Sequence, residues 1–524
     1  MKRLSCYILI TLIAAIPLGM AAYYKLQSMD ITIDRFNSLN RPPKIHPDYT
    51  DTVIPPNIAP LNFRLREDGR EFYVKIYSNQ GKPIYVRSRK QLIKMPVNKW
   101  KNLLDSNRGQ RLYFDIYTRD DEGKWSKFET ITNTIANSDI DSHLVYRRLR
   151  VCAWWKDMAT YQRNLETFKE SILLHNRSYE GGCANCHTFL KNSPDNMLMQ
   201  IRSSQYGTPI LTSQKGKVSA INTRTNVSPG KAGFSSWHPN ANIIAFSINK
   251  FSLIYHSATP DIREVVDTAA DLVLYRIDTN KVSSSGKITD PNRMETYPEF
   301  SPDGKYLYFT SAPQLPSSKY RQVLYDLMRV GYDAEKQQFG PLETVLTAEQ
   351  LGGSITQPRF SPDGRYLLFN VCLCSDFPVN QPISNLFLLE IRTGKFTELP
   401  INSKYSESWH GWSSNGRWIV FSSKRLDGRF SKPFFSYIDE NGKTSKPFVL
   451  PQKDPAYYDS LLQVYSIPEF ITRPIKVKAK QFAKTIFTYS QVPQADAITG
   501  ATPNRPAPPI QSADQAEDIW PSRE

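Results

Sequence analysis

Cys183-Ala-Asn-Cys186-His187 is the stretch whose residue types and spacing point to covalent chemistry. Two thiols at this spacing can add across the two vinyl groups of a haem, and the imidazole that follows can ligate its iron. The motif reads as c-type haem attachment: Cys183 and Cys186 hold one covalent haem c, and His187 is the proximal iron ligand. A sixth ligand is expected unless the iron binds small molecules. Met197 follows His187 by ten residues, and ten extended residues reach about 33 Å, enough to pass the edge of the macrocycle. Met197 is therefore the candidate distal iron ligand; the bland alternative is a methionine that fills the first strand of the next domain. His175, His238 and His410 are further candidates. A redox dithiol, or half of a zinc site with no second C-x-x-C to complete it, are the other readings of the motif.

The remaining residues of chemical interest read mostly as structure. Cys372 and Cys374 share one side of a strand, where a disulfide would be strained, so buried free thiols are expected, with a bridge to Cys152 as the alternative. Trp237-His238 and Trp409-His410 read as packing anchors that could also line a ligand site. The aspartates of Pro-Asp-Gly turns offer one carboxylate each, poor ligation for calcium. No catalytic residues are assigned, because the chain lacks Gly-x-Ser-x-Gly, H-E-x-x-H and a phosphate-binding loop.

Composition sets the frame for this chemistry. The 524 residues carry 66 Lys+Arg against 50 Asp+Glu, a formal net charge of +16, with 40% hydrophobic and 12% aromatic residues. That is material for two or three packed domains and too apolar for a disordered chain. The positive charges are interleaved with acids and aromatics, which argues against nucleic acid as a partner. Lys2 and Arg3 precede an apolar run from Tyr7 to Tyr24, the pattern of a signal peptide or an N-terminal membrane anchor. Cys6 lies ahead of the run, the wrong side for a lipoprotein cysteine. The chain is thus expected in the periplasm or cell envelope, where c-type haem is attached, and on the membrane if residues 7–24 stay uncleaved.

The elements that must position the motif are mainly β. Residues 25–58 read as a Pro-bearing spacer. From 59 to 136, alternation at Phe63/Leu65, Phe72/Val74/Ile76, Ile84/Val86 and Leu112/Phe114/Ile116 predicts short antiparallel strands and a small β-sandwich. Met158, Tyr161, Leu165, Phe168 and Ile172 recur at helical spacing, so 137–196 is expected to hold a helix that presents the C-x-x-C-H. From 197 to 480 a repeat dominates. Phe300-Ser-Pro-Asp-Gly-Lys-Tyr-Leu-Tyr-Phe309 returns as Phe360-Ser-Pro-Asp-Gly-Arg-Tyr-Leu-Leu-Phe369, with degenerate copies at Trp237 to Phe246 and Trp412 to Phe421. Units of about 50 to 63 residues with two hairpins each predict a β-propeller of four-stranded blades. Five are countable, and a sixth can be assembled from both ends of the repeat region. Residues 491–524, rich in Pro, Ala, Gln and Asp, are expected to be disordered.

The Phe-Ser-Pro-Asp-Gly-Lys/Arg units resemble the repeats of TolB-like β-propeller proteins. The stretch from about Pro47 to Phe470 resembles exported members that carry C-x-x-C-H ahead of the propeller, with Tyr161-Gln-Arg163, Cys183 to Phe189, Pro194 to Met197 and Trp412 to Lys424 as landmarks. The resemblance implies an extracytoplasmic or membrane-associated protein. Together the readings predict a monohaem c-type cytochrome-like protein for electron transfer or redox sensing, whose propeller docks a protein partner in the cell envelope. The alternative is an interaction scaffold with haem absent or structural. An enzyme using the haem is the least supported option.

Overall fold

The computed structural model describes residues 33–150, 157–255 and 263–498. The apolar run at residues 7–24, Cys6, Cys152 and residues 499–524 lie outside the described residues. The chain divides into two compact units. One comprises residues up to Ile140 with Leu165–Phe168 and Ser445–Leu461; the other comprises Asp141–Asn164, Lys169–Thr444 and Leu462 onward.

In the smaller unit every strand read from alternation is present: Phe63–Leu65, Glu71–Tyr77, Ile84–Ser88 and Arg111–Arg119. A seven-stranded sheet centred on Arg111–Arg119 is accompanied by a three-stranded sheet of Ile45–His46, Phe63–Leu65 and Leu92–Ile93. The helix Val97–Asp105 buries Trp100, Leu103 and Leu104. Phe114 packs against both Phe63 and Trp100, with ring centroids 6.3 Å apart in each pair. Each such aromatic contributes on the order of 1.5–3 kcal/mol by leaving water.

The larger unit is built from antiparallel sheets, most of them four-stranded. Their inner strands are Cys183–Phe189, Ala232–Trp237, Arg293–Phe300, Ser354–Phe360, Glu407–Trp412 and Gln463–Ile471. Each touches the next, and the last touches the first, so the inner strands form a closed ring. This is a β-propeller. The last sheet joins both ends of the unit: Gln463–Ile471 pairs with His143–Arg150, which continues into Met158–Asn164 and Glu170–His175. Apolar clusters fill the spaces between sheets, among them Phe300 with Ile243, Leu307 and Val330, and Phe360 with Tyr308, Ile355 and Leu367.

Two local expectations are corrected. The residues expected as a helix at 158–172 form two strands, Met158–Asn164 and the start of Glu170–His175. Edge pairing to the closing sheet outweighs the 3.6-residue spacing, and Ile172, counted on the apolar stripe, is 46% exposed. The described residues of 137–196 are thus mainly strand, with two short 3-10 turns, and not a helical module. At the other end, residues 491–498 are ordered: Asp496–Ala497 adds a parallel strand beside Lys281 and Val282. An unexpected helix, Ala479–Phe487, buries Phe482 and Ile486 against Leu173 and Leu174.

Candidate functional site

The C-x-x-C-H does not precede the propeller; it is an inner strand of it. All the inner strands carry a β-bulge at one level: Asn185-Cys186, Gly233-Phe234, Tyr297-Pro298, Gln357-Pro358, Trp409-His410 and Ile467-Pro468 stand unpaired against one residue of the neighbour. Two or three residues on comes an aromatic anchor: Phe189, Trp237, Phe300, Phe360, Trp412 and Phe470. Cys186-His187-Thr188-Phe189 is therefore the counterpart of Tyr297-Pro298-Glu299-Phe300. A bulge bends a strand and re-aims its side chains, and here it turns residue after residue toward the axis. Tyr297, Gln357, Trp409 and Ile467 hold positive φ of 48 to 55° to do so.

The residues at this level enclose a small cavity of about 30 Å³, lined by every inner strand and including Cys186, His187, Phe234, Tyr297, Gln357, Trp409, His410 and Ile467. Phe234 stacks on Tyr297 with centroids 3.8 Å apart and lies 5.8 Å from Trp409. Cys186 packs against this aromatic plug. Cys183 sits elsewhere, among Leu149, Met158 and Val464, with its Sγ 3.4 Å from Met158 Sδ. Both thiols are free. Burial pushes both up, against the opposing pull of the Arg147 and Arg202 guanidinium groups, so they are neutral near pH 7.

His187 is 1% exposed, and neither ring nitrogen has a hydrogen-bond partner. The carbonyls of Val145 and Ile467 are near enough to raise its basicity slightly, but neither meets hydrogen-bond geometry. Burial, aided by Arg147, pulls its pKa down to about 3. A neutral imidazole with unspent nitrogens is what a metal ligand must be. His410, on the same cavity, is different: Nε2 faces Leu368 O at 3.0 Å and Nδ1 faces Asn370 Oδ1 at 3.2 Å. His238 is held by Gly304 O and by the backbone N–H groups of Asn240 and Ala241. His175 accepts from Arg177 N and lies 3.4 Å from Asp157. Trp409 and His410 thus line the cavity, whereas Trp237 and His238 do not.

Met197 is in a different place from the site expected for it. It pairs with Phe189 and is packed with Leu173, Tyr179 and Met199, while its neighbour Leu198 borders the cavity at His187. The strand-filling alternative describes it. Cys372 and Cys374 are buried free thiols, Cys372 Sγ pointing at Cys374 O at 3.4 Å. The Pro-Asp-Gly aspartates serve their turns: Asp303 Oδ1 accepts from Ser301 Oγ at 2.6 Å and Lys305 N at 3.0 Å.

Three features had no sequence signal because distant strands assemble them. Arg147 bonds to Asn185 and Ser466 and Arg202 to Ala232 O, and neither forms a salt bridge among the described residues. Asp267 and Asp376 are fully buried together; burial pushes Asp376 up to about 7 and Asp267 well above the carboxylate range. Arg359 spans Glu299 at 3.4 Å and Glu469 at 3.3 Å. Among the described residues no cluster of three or more His, Cys, Asp or Glu could hold a metal ion, and no helix is long and apolar enough to cross a membrane.

Residues present fit a covalently held haem in their donor chemistry. There are two free thiols at the required spacing, an imidazole without a hydrogen-bond partner, and two guanidinium groups outside any salt bridge among the described residues, of the charge that would suit the carboxylates of a haem. The space beside Cys186 and His187, about 30 Å³, is far below the roughly 300–1,000 Å³ of ligand pockets. Seating the macrocycle there requires the Phe234–Tyr297–Trp409 plug to yield.

No protein-family model matches the chain, and no curated protein matches it. Solved structures do. The nidogen/laminin complex structure is 9% identical, with TM-score 0.37 over 63% of this chain and 99% of that one. The Dos1 propeller is 13% identical, with TM-score 0.27 over 44% of this chain and 66% of that one. The tricorn protease is 12% identical, with TM-score 0.32 over 65% of this chain and 34% of that one. At these values the β-propeller assignment rests on the closed ring of inner strands described above, and function must be argued from the site.

Proposed function

We propose that the chain is an extracytoplasmic, monohaem c-type cytochrome-like protein on a TolB-like propeller of six blades, one for each sheet of the ring, preceded by a small β-sandwich. Cys183 and Cys186 hold the haem and His187 ligates its iron. A bound haem supplies one-electron redox chemistry for electron transfer or redox sensing, and the propeller docks a protein partner in the cell envelope. The observation that carries the reading is His187: a fully buried imidazole whose nitrogens are both left without partners is costly unless something binds it, and it directly follows two free thiols. The chain's own contribution is to keep that imidazole neutral by burial and to set Arg147 and Arg202 beside the thiols. Their positive potential favours the thiolate during attachment and carboxylates afterwards. Met197 is not carried forward as the distal ligand.

Expression with export and c-type maturation tests this. The wild-type chain is expected to show Soret absorbance that survives acid–acetone extraction. The Cys183→Ala/Cys186→Ala variant is expected to lose it, and equal colour in both would refute covalent attachment.

A second reading is a cell-envelope interaction scaffold with haem absent. It is favoured by the narrow cavity and by the placing of Cys183 and Cys186 in separate apolar clusters. It predicts a colourless wild-type chain and partner binding untouched by Cys183→Ala.

A further inference from the structure

On the side of the plug away from the aromatic anchors, two strands of one blade run far past the rest of their sheet. The inner strand stops pairing at Ala232, opposite Ile248. Beyond it, residues 249–255 and 263–270 pair with each other as a two-stranded ribbon. The ribbon reaches across the next blade. Ala270 packs with Met294, Ala312 and Tyr325. Asn249 Nδ2 donates to Thr296 Oγ1 at 3.0 Å, and Gln314 Nε2 donates to Thr268 O at 3.0 Å. There Asp267 meets Asp376, which stands in the loop after Tyr366–Cys372, one blade further on. That loop covers the plug: Tyr297 donates to Asp376 O at 2.8 Å, and the Phe377 ring lies 5.9 Å from that of Phe234.

Both aspartates are buried, and their carboxyl groups are within hydrogen-bond reach of each other. Asp267 Oδ2 accepts from Asn249 Nδ2 at 2.5 Å, and Asp376 Oδ1 from Ser375 Oγ at 3.2 Å. Each group keeps one oxygen without a donor, Asp267 Oδ1 and Asp376 Oδ2. Two buried carboxylates in contact do not both ionise, whereas one proton between them makes a charge-assisted hydrogen bond. Arg202 acts on Asp267 as a cation and offsets one carboxylate, not two. Tyr297, Tyr325, Cys372 and Cys374 also face Asp376, and burial keeps them protonated near pH 7. Farther out, Glu295 faces Tyr325, and Glu264 and Arg321 face Cys374.

We propose that Asp267 and Asp376 form a proton-operated clasp, which holds the ribbon on the loop covering the plug while they share a proton and releases it when that proton passes to solvent. Burial holds both groups above the usual carboxylate range, Asp376 at about 7. In the released ribbon they meet water and ionise near pH 4, roughly the ordinary aspartate value. Closing therefore takes up a proton, and closure weakens as pH rises through neutrality. Release uncovers the plug beside Cys186 and gives an incoming group a pH-dependent entrance to it. The inference goes beyond haem attachment and does not depend on it.

Spin labels attached through p-acetylphenylalanine in place of Tyr255 and Leu373 of the full-length chain test this. Both positions are exposed, at 70% and 57%; one lies on the ribbon and the other leads into the loop of Asp376. Double electron–electron resonance is expected to give one short distance at pH 5.5. By pH 8.5 the ratio of short to long distances is expected to fall about tenfold or more, one proton being worth up to tenfold per pH unit. Asp267→Asn/Asp376→Asn, whose amides bond each other without a titrating proton, is expected to keep one distribution at both pH values. An unchanged wild-type distribution would overturn the proposal, as would an equal shift in the double variant. Should the double variant fold poorly, Asp267→Asn is read in its place, and an undiminished shift there overturns the proposal.

Discussion

The inner strands Cys183–Phe189 and Arg293–Phe300 occupy equivalent places in the ring and differ almost entirely in chemistry. Both carry a bulge, both end on a buried phenylalanine, and both line the axial cavity. In the later strand, Tyr297 donates to Asp376 O at 2.8 Å and the Pro298 side chain has no hydrogen-bonding group to leave unsatisfied. In the earlier one, those positions carry Cys186 and His187, a free thiol and an imidazole without partners. The propeller repeat fixes where side chains point; the residues at one strand decide whether that place is inert or reactive.

The anchors test the shared part of this comparison and should give the largest effects. Phe300→Ala and Phe189→Ala each empty a packed site, and each is expected to cost about 3–5 kcal/mol in denaturant unfolding. If Phe189→Ala costs less than about 1 kcal/mol, the first strand is not held as the others are.

The two histidines of the cavity sharpen the chemical part. His410→Ala removes the single N–H that Leu368 O or Asn370 Oδ1 accepts, and is expected to cost about 1–3 kcal/mol beyond lost packing. His187→Ala strands nothing and should cost less, yet it should alter the spectrum of any attached haem. A reversed order of stabilities would contradict the geometry.

Acid should reveal both rings. Each is depressed to about 3 by burial, so between about pH 6.5 and 3 the unfolded chain binds a proton that the folded chain refuses. Their contribution to stability is complete above pH 6.5 and is lost as pH falls toward 3. Replacing either ring with Gln is expected to remove up to about 1.4 kcal/mol per pH unit of acid sensitivity, relative to wild type, within that window. Glu469 and Asp376, held up at about 7, act in the opposite sense between about 4.5 and 7, so the comparison must be variant against wild type. An unchanged slope would mean that the rings are protonated when folded.

The smallest difference lies in the repeated turn. Gly304 and Gly364 have φ of +78° and +72°; a Cβ on Gly304 would come within 2.7 Å of the His238 ring, whereas on Gly364 its nearest atom is Pro302 Cγ at 3.5 Å. Both alanine variants pay about 1 kcal/mol for left-handed backbone, and Gly304→Ala should cost measurably more.

Much of this fold is written locally. Ser-Pro-Asp-Gly followed by an alternating strand identifies its own turn, because Ser301 and Asp303 bond within the turn and Gly304 alone accepts its φ. The first copy is disguised in the sequence for a physical reason. Phe189 is separated from its turn, Ser193-Pro194-Asp195-Asn196, by Leu190-Lys191-Asn192, and Asn196 stands where Gly would be. Asn196 N still bonds Ser193 O at 3.2 Å, as Gly304 N bonds Ser301 O at 2.8 Å. With three inserted residues allowed, the repeat extends to the strand that carries the C-x-x-C-H. The strands at 158–175 are not legible locally, since they pair with each other and with His143–Arg150, and that strand is itself anchored on the distant Gln463–Ile471. The Arg359 bridge and the Asp267–Asp376 pair share that property: each joins residues of different sheets.

The central claim is that the Cys183 strand holds a haem where its equivalents hold only packing. The most direct test is the intact mass of the exported, matured chain under denaturing conditions, read with its pyridine haemochrome spectrum. The account predicts a mass increase of one haem and a c-type spectrum, both lost in Cys183→Ala/Cys186→Ala. A colourless wild-type chain at apoprotein mass would contradict it.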